Sequence, residues 1–226
     1  MSNTDSFIDE VNEEVRRDKL YGYLRRYGWI AVLVILVIVG GAAFNEYRKS
    51  QAEAKAQALG DAMLAALSND EPTDRAAALA EVNAETPESR AVLALLQAGA
   101  FADAGDTDAA ISALSQVEGA ADAPLIYRQI ATFRSLLLQT DTLDVDTRRA
   151  GFETLAVPGV AFRLLAEEQL ALIDIETGDV DGAIARLRPM LDDAEASAGL
   201  QRRALQAIVA LGGTLDDESA DAAAEN

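Results

Sequence analysis

Residues 29–44, WIAVLVILVIVGGAAF, form a stretch of sixteen without a single charge. With Tyr27 and Gly28 it reaches 18 residues. At about 1.5 Å rise per residue such a helix spans roughly 27 Å, close to the hydrocarbon thickness of a bilayer. Tyr21, Tyr23, Tyr27 and Trp29 precede or open the run, and Phe44 and Tyr47 lie at its far end. Aromatics so placed suit the two headgroup zones. The segment therefore reads as one transmembrane helix.

Five basic residues lie ahead of the run (Arg16, Arg17, Lys19, Arg25, Arg26), against Arg48, Lys49 and Lys55 beyond it. The positive-inside bias thus places the N-terminus in the cytoplasm and the bulk of the chain on the other side. A secretory signal peptide is the competing reading, with Gly41, Ala42 and Ala43 as small residues at a cleavage site. Against it stands the acidic content of the head: Asp5, Asp9, Glu10, Glu13, Glu14 and Asp18 are residues that cleaved signals lack.

The remainder of the chain is acidic. Beyond Phe44 there are 32 acids and 14 bases, which is −18 of the chain's net −19. Such a surface is not suited to nucleic acid or anionic lipid. The chain has no cysteine and no histidine. That removes disulfides, thiolate chemistry, Ser-His and Cys-His catalysis and the commonest transition-metal ligand. No catalytic, cofactor-binding or metal-ligating residue is assigned, and no cofactor or small-molecule substrate is expected. With 16 Arg, only 3 Lys and abundant Ala, the composition matches a GC-rich bacterial genome.

In the head, Phe7, Val11 and Val15 recur every four residues with Ile8 beside them, the pattern of an amphipathic helix over 6–20. It reads as a lead-in to the membrane or as a docking helix for a cytoplasmic partner or the membrane surface. Residues 45–68 are rich in Ala, Gln, Glu and Lys, with Leu59, Met63 and Leu67 on one stripe, so a stalk helix is expected to leave the membrane. Pro72 breaks it. From there on the apolar residues recur at spacings of three and four, and Pro72, Pro87, Pro124 and Pro158 fall in or next to the breaks. The stretch 216–226 is acidic without an apolar stripe and reads as a disordered tail. The expected domains are a cytoplasmic head 1–28, a transmembrane helix 29–44, a stalk 45–68, a repeat domain 69–215 and the tail 216–226.

Within the repeat domain two segments match. Gly105-Asp106-Thr107-Asp108-Ala109-Ala110-Ile111-Ser112-Ala113-Leu114 and Gly178-Asp179-Val180-Asp181-Gly182-Ala183-Ile184-Ala185-Arg186-Leu187 both read G-D-x-D-x-A-I-x-x-L, 73 positions apart. Each comes after a helical stretch, 89–104 or 161–177, so each is helix, tight turn, helix. Glycine suits a left-handed helix end, and the Asp after it can cap the next helix. Ala98 with Ala110, and Ala171 with Ala183, are small enough for paired helices to cross closely, and Leu114 and Leu187 fill the groove beside them.

These residues resemble the tetratricopeptide repeat, whose period is about 34. An offset near two periods implies a divergent middle pair, 125–139 and 146–156, whose turn at 140–143 lacks Gly. Residues 68–82 are expected as half of a leading pair and 200–211 as a closing helix. Pro189 falls inside the second helix of the last pair and should kink it. The fold class is thus all-α, a single N-terminal transmembrane helix followed by a small tetratricopeptide-like solenoid of helical hairpins.

The run FIDEVNEEVRR over 7–17, Tyr27-Gly28 entering one span, the Ala-rich stalk and the small acidic solenoid together resemble the YfgM-like family of bacterial inner-membrane proteins. That resemblance implies a periplasmic domain ancillary to the SecYEG translocon, working with a membrane-anchored chaperone of the prolyl-isomerase type, PpiD. It implies no particular binding residues. Independently of it, a solenoid offers a concave wall to a peptide or helix, which makes binding the expected job.

Two other readings stand beside it. The clusters Asp103, Asp106, Asp108 and Asp141, Asp144, Asp146 could be drawn as an acid-base or metal site, but no segment has the Gly and Glu of a calcium loop. A cleaved, soluble periplasmic repeat protein serving envelope or division assembly shares the fold and differs only in the anchor.

Overall fold

The computed structural model describes residues 3–214, with side-chain surroundings from residue 25 onward except at 31. The tail assigned to 216–226 lies outside the described residues, as do the side chains of the head. Every regular element among the described residues is helical. The chain divides into two compact units, 1–60 and 61–226.

In the first unit the backbone is one helix. α1 runs from Asn3 to Leu67, through the head, the uncharged run and the stalk, with its last turns in the second unit. No Pro interrupts it, and Gly28, Gly40 and Gly41 have open space where a Cβ would stand. The described side chains from Ile30 to Val39 are exposed, as are Phe44 and Tyr47. Of the described residues, one helix, within Arg25–Leu67, is long and apolar enough to cross a membrane.

The second unit begins with the end of α1, where Met63 and Ala66 are buried. α2 (Pro72–Ala80) comes after a turn and packs on α3 (Pro87–Asp103) through Leu79, whose carbonyl accepts a hydrogen bond from Gln97 at 2.9 Å. Thr86 caps α3 with a reciprocal capping box to Ser89, and Pro87 occupies the first turn, where its missing N–H costs nothing. Then come α4 (Thr107–Glu118), α5 (Leu125–Leu138), α6 (Val145–Leu155), α7 (Arg163–Glu176), α8 (Val180–Leu187) and α9 (Ala198–Ala210).

The two matching segments fold alike. Gly105 and Gly178 take φ of 78° and 82°. The Asp106 N–H donates to the Phe101 carbonyl at 2.9 Å and Gly105 to Ala102 at 3.0 Å; Asp179 donates to Asp174 at 2.8 Å and Gly178 to Ile175 at 3.0 Å. These are two Schellman closures, which satisfy carbonyls that a helix end leaves open. The same aspartates then start the next helix, Asp106 accepting from the Ala109 N–H at 3.0 Å and Asp179 from Gly182 at 2.9 Å. Ala98, Ala110, Ala171 and Ala183 are all 0 % exposed. Leu114 and Leu187 sit in the core beside them.

The middle hairpin differs. Without a glycine in the left-handed region the reversal takes longer, from the Gln139 carbonyl, which accepts from Leu143 at 2.9 Å, to Asp144, which caps α6. Phe152 and Leu155 are buried against Leu136. Phe133 meets Phe152 edge-on at 5.7 Å and stacks on Phe162 at 5.6 Å. The closing helix is present as α9, with Leu200, Ala204 and Ile208 buried against α7 and α8.

Pro189 does not kink a helix. α8 ends at Leu187, and Arg188–Leu191 continues as a short 3₁₀ helix with Pro189 in its first turn. A proline ring cannot follow an α-helical carbonyl four residues back, and the tighter i→i+3 pattern relieves that clash. The buried Met190 then tucks into the last core cluster.

Candidate functional site

α3, α5 and α7 are the first helices of the three hairpins, and α3 and α5 run parallel. The contacts fix their direction. Arg90 near the start of α3 pairs with Asp122, just ahead of α5, at 2.8 Å, and Arg134 of α5 donates to the Leu95 carbonyl of α3 at 3.2 Å. α9 joins the row: Arg203 forms two hydrogen bonds to Glu168 of α7, at 2.7 and 2.8 Å.

The buried side of α5 is set by Ala131, Ser135 and Leu136, which leaves Ile126, Ile130 and Leu137 on the opposite face. On α7, Leu164, Ala166, Leu170 and Ala171 go inward, Leu165 is half-buried against the last core cluster, and Gln169 and Leu172 face outward. α3 likewise turns out Val92 and Leu96. Leu137 is 39 % exposed and Leu172 49 %. The second helices of the first two pairs are polar on their open faces, with Ser112, Ser115 and Gln116 on α4 and Asp146, Glu153 and Thr154 on α6, while α8 exposes Asp181 beside Val180. The domain thus exposes apolar side chains on α5 and α7 and polar ones on α4 and α6.

Between α7 and α9 the apolar face deepens into a hollow of about 350 Å³, lined by Glu168, Gln169, Leu172, Leu187, Arg203 and Ala207. It is the size of one large side chain with room to spare. A second hollow of about 340 Å³, on the other side of α7, is lined by Arg163, Glu167, Arg186 and Asp193 among others. All four of these already pair with protein groups.

The carboxylates drawn as a possible acid-base or metal site have structural jobs. Asp106 and Asp144 are helix caps, and Asp103 lies 3.6 Å from Arg75. Hydrogen bonds from the Thr147 hydroxyl and N–H hold the Asp144 carboxyl below its ordinary value. Among the described residues no group of three or more acids is placed to hold a metal ion. Glu118, between α4 and α5, is pushed up by burial, with a hydrogen bond from Ser135 opposing.

A buried ionic network, unseen in the sequence, joins the last three hairpin helices. Asp174, 3 % exposed, accepts from Arg149 of α6 on one oxygen and from Arg186 of α8 on the other, and Arg186 continues to Glu167 at 2.7 Å. Burial alone would raise the Asp174 carboxyl; the two guanidiniums outweigh it and hold it below the ordinary value. Beside it the buried Arg148 meets Glu176 at 2.6 Å. The separations, 25 residues from Arg149 to Asp174 and 28 from Arg148 to Glu176, carry no local sequence signal. The open apolar face did leave a signal, in Leu137 and Leu172, 35 positions apart.

Neither the curated proteins nor the solved structures contain a match to the chain. A family model does match: that of the tetratricopeptide repeat-like domain, over residues 22–149, which is more than half of the chain and includes the apolar run and the helices as far as the first turn of α6. A domain of stacked helical pairs of this kind is a scaffold for protein–protein contacts. By sequence and by fold, this chain belongs to the tetratricopeptide repeat-like domain family.

Proposed function

We propose that this protein is a single-pass, membrane-anchored, non-enzymatic scaffold whose repeat domain holds a protein partner on the open face of α3, α5 and α7. The observation that carries the reading is the contrast between the two sides of the domain. Solvation explains the polar face of α4 and α6; it does not explain Ile126 and Leu137 left out on α5 and Leu172 on α7. Residues 29–44 form the anchor, 1–28 the cytoplasmic head and 45–68 the stalk. The domain 69–215 stands on the periplasmic side of a bacterial inner membrane, with 216–226 as its tail.

Support for the anchor comes from the exposed apolar side chains of α1 and from the basic residues ahead of them. The family match also begins at residue 22, so the apolar run and the repeats are matched together. On the resemblance of the head and repeats to the YfgM-like family, the partners are the SecYEG translocon and a chaperone of the PpiD type.

The test is to crosslink the intact protein in native membranes, purify it through a C-terminal tag and identify the proteins that accompany it. Translocon and chaperone subunits on an uncleaved chain are the expected result. A shortened, membrane-free chain carrying envelope or division proteins would overturn the reading.

A further inference from the structure

The apolar face is not electrically uniform along its length. Glu176 stands four residues after Leu172 on α7, Asp141 four after Leu137 just beyond α5, and Asp103 four after Gly99 on α3. Residues i and i+4 share a helix face, so α3 and α7 end their open sides on an acid, and Asp141 lies in the turn just past α5. These are also the three C-termini, where each helix carries about half a negative charge. Asp103 and Glu176 keep 67 % and 48 % of their side chains exposed despite Arg75 and Arg148, and Asp141 is exposed.

Of the basic residues of the same helices, Arg134 lies in the second half of α5, its guanidinium beside Gly99 and donating to the Leu95 carbonyl, and the other three are at the opposite end. Arg90, Arg128 and Arg163 lie in the first turns of α3, α5 and α7. Arg90 is neutralised by Asp122, and Arg163 by Asp193 and Glu195. The domain has no lysine at all. An apolar strip therefore runs into an edge of three carboxylates, of which Asp103 and Glu176 are paired yet about half exposed or more, on a domain whose acids outnumber its bases.

From this charge pattern we infer that the occupant of the face is a cationic amphipathic segment of a partner protein. Its apolar side chains lie along Leu137 and Leu172, with one in the hollow beside Leu187, and its Lys or Arg side chains reach Asp103, Asp141 and Glu176. An acidic segment is repelled there, and a neutral one gains nothing from the edge. The inference rests on the reading of this face as the docking surface and adds the partner's charge and its direction along the strip.

The test uses the full chain in discs of phosphatidylcholine, with empty discs as the blank. A labelled Leu/Lys amphipathic peptide is titrated against its Leu/Glu counterpart of the same apolar pattern, with fluorescence anisotropy as the readout. The Leu/Lys peptide should bind about tenfold tighter, and should weaken several-fold as salt rises and the Debye length shrinks. Asp103→Asn with Asp141→Asn should remove most of that preference, and Leu137→Ser with Leu172→Ser should weaken binding itself. Equal binding of the two peptides that still depends on the leucines would overturn the charge inference and leave the docking face standing. Binding of neither peptide, or binding that ignores all four substitutions, would overturn both.

Discussion

Arg149, in the first turns of α6, is ion-paired to Asp174, near the end of α7, so a guanidinium from one helical pair is bonded to a carboxylate buried in the next. Asp174 also takes Arg186 at 3.1 Å, and one side chain thereby ties α6, α7 and α8. In a stacked-pair fold each unit touches only its neighbours, so a tie of this kind acts on the interface between them. Replacing Asp174 by Asn leaves two guanidiniums facing a neutral group. We expect a loss of about 2–3 kcal/mol, read from urea unfolding of the full chain. A loss below about 0.5 kcal/mol would show that the network is incidental.

The same carboxylate sets a pH dependence. Its folded-state pKa lies below that of the unfolded chain, so its contribution is present at neutral pH. It is lost as pH falls through about 4, the unfolded value, toward the folded one. Glu118 acts in the opposite sense, since burial raises it, and it favours the folded state as pH falls. Stability should be flat between pH 8 and about 5, there being no histidine to titrate, and should decline below about 4. Asp174→Asn should decline less steeply. A steep loss near pH 6 would contradict this assignment.

Gly105 and Gly178 hold positive φ with open space around the missing Cβ, so alanine there meets strain and no clash. Each Gly→Ala change should cost about 1–2 kcal/mol, and Gly178→Asn less, because asparagine tolerates the left-handed region better. Thermal unfolding of the three variants ranks them.

If Asp106 is a cap, Asp106→Ala should cost about 1 kcal/mol, and added calcium should leave the melting temperature of the intact protein unchanged. A calcium-dependent rise in Tm that Asp106→Ala abolishes would revive the metal reading.

The architecture was legible where local chemistry dictates it. A glycine that ends a helix and an aspartate that starts the next leave their pattern within a few residues, and both hairpins carrying it at Gly105 and Gly178 fold as that pattern requires. Ala98, Ala110, Ala171 and Ala183 were recognisable as crossing points for the same reason. Pro189 was misjudged because a proline near a helix end can terminate the helix in a 3₁₀ turn as readily as bend it, and only the packing of Met190 decides. The Asp174 network was illegible because arginines and acids on a helix read as a solvated face until the neighbouring helix is placed. The open apolar face was half legible: Leu137 and Leu172 stand 35 positions apart, but their exposure depends on which sides α4, α6 and α8 take up.

The most direct test of the scaffold assignment is site-specific photocrosslinking in native membranes, with the reactive side chain placed in turn at Leu172 on the apolar face and at Ser112 on the polar one. Both sites are exposed, so neither placement threatens the fold. A partner protein crosslinked to the uncleaved chain from position 172 and absent from 112 is the predicted result. Crosslinks from 112 with none from 172 would contradict the assignment of the face on which this scaffold works.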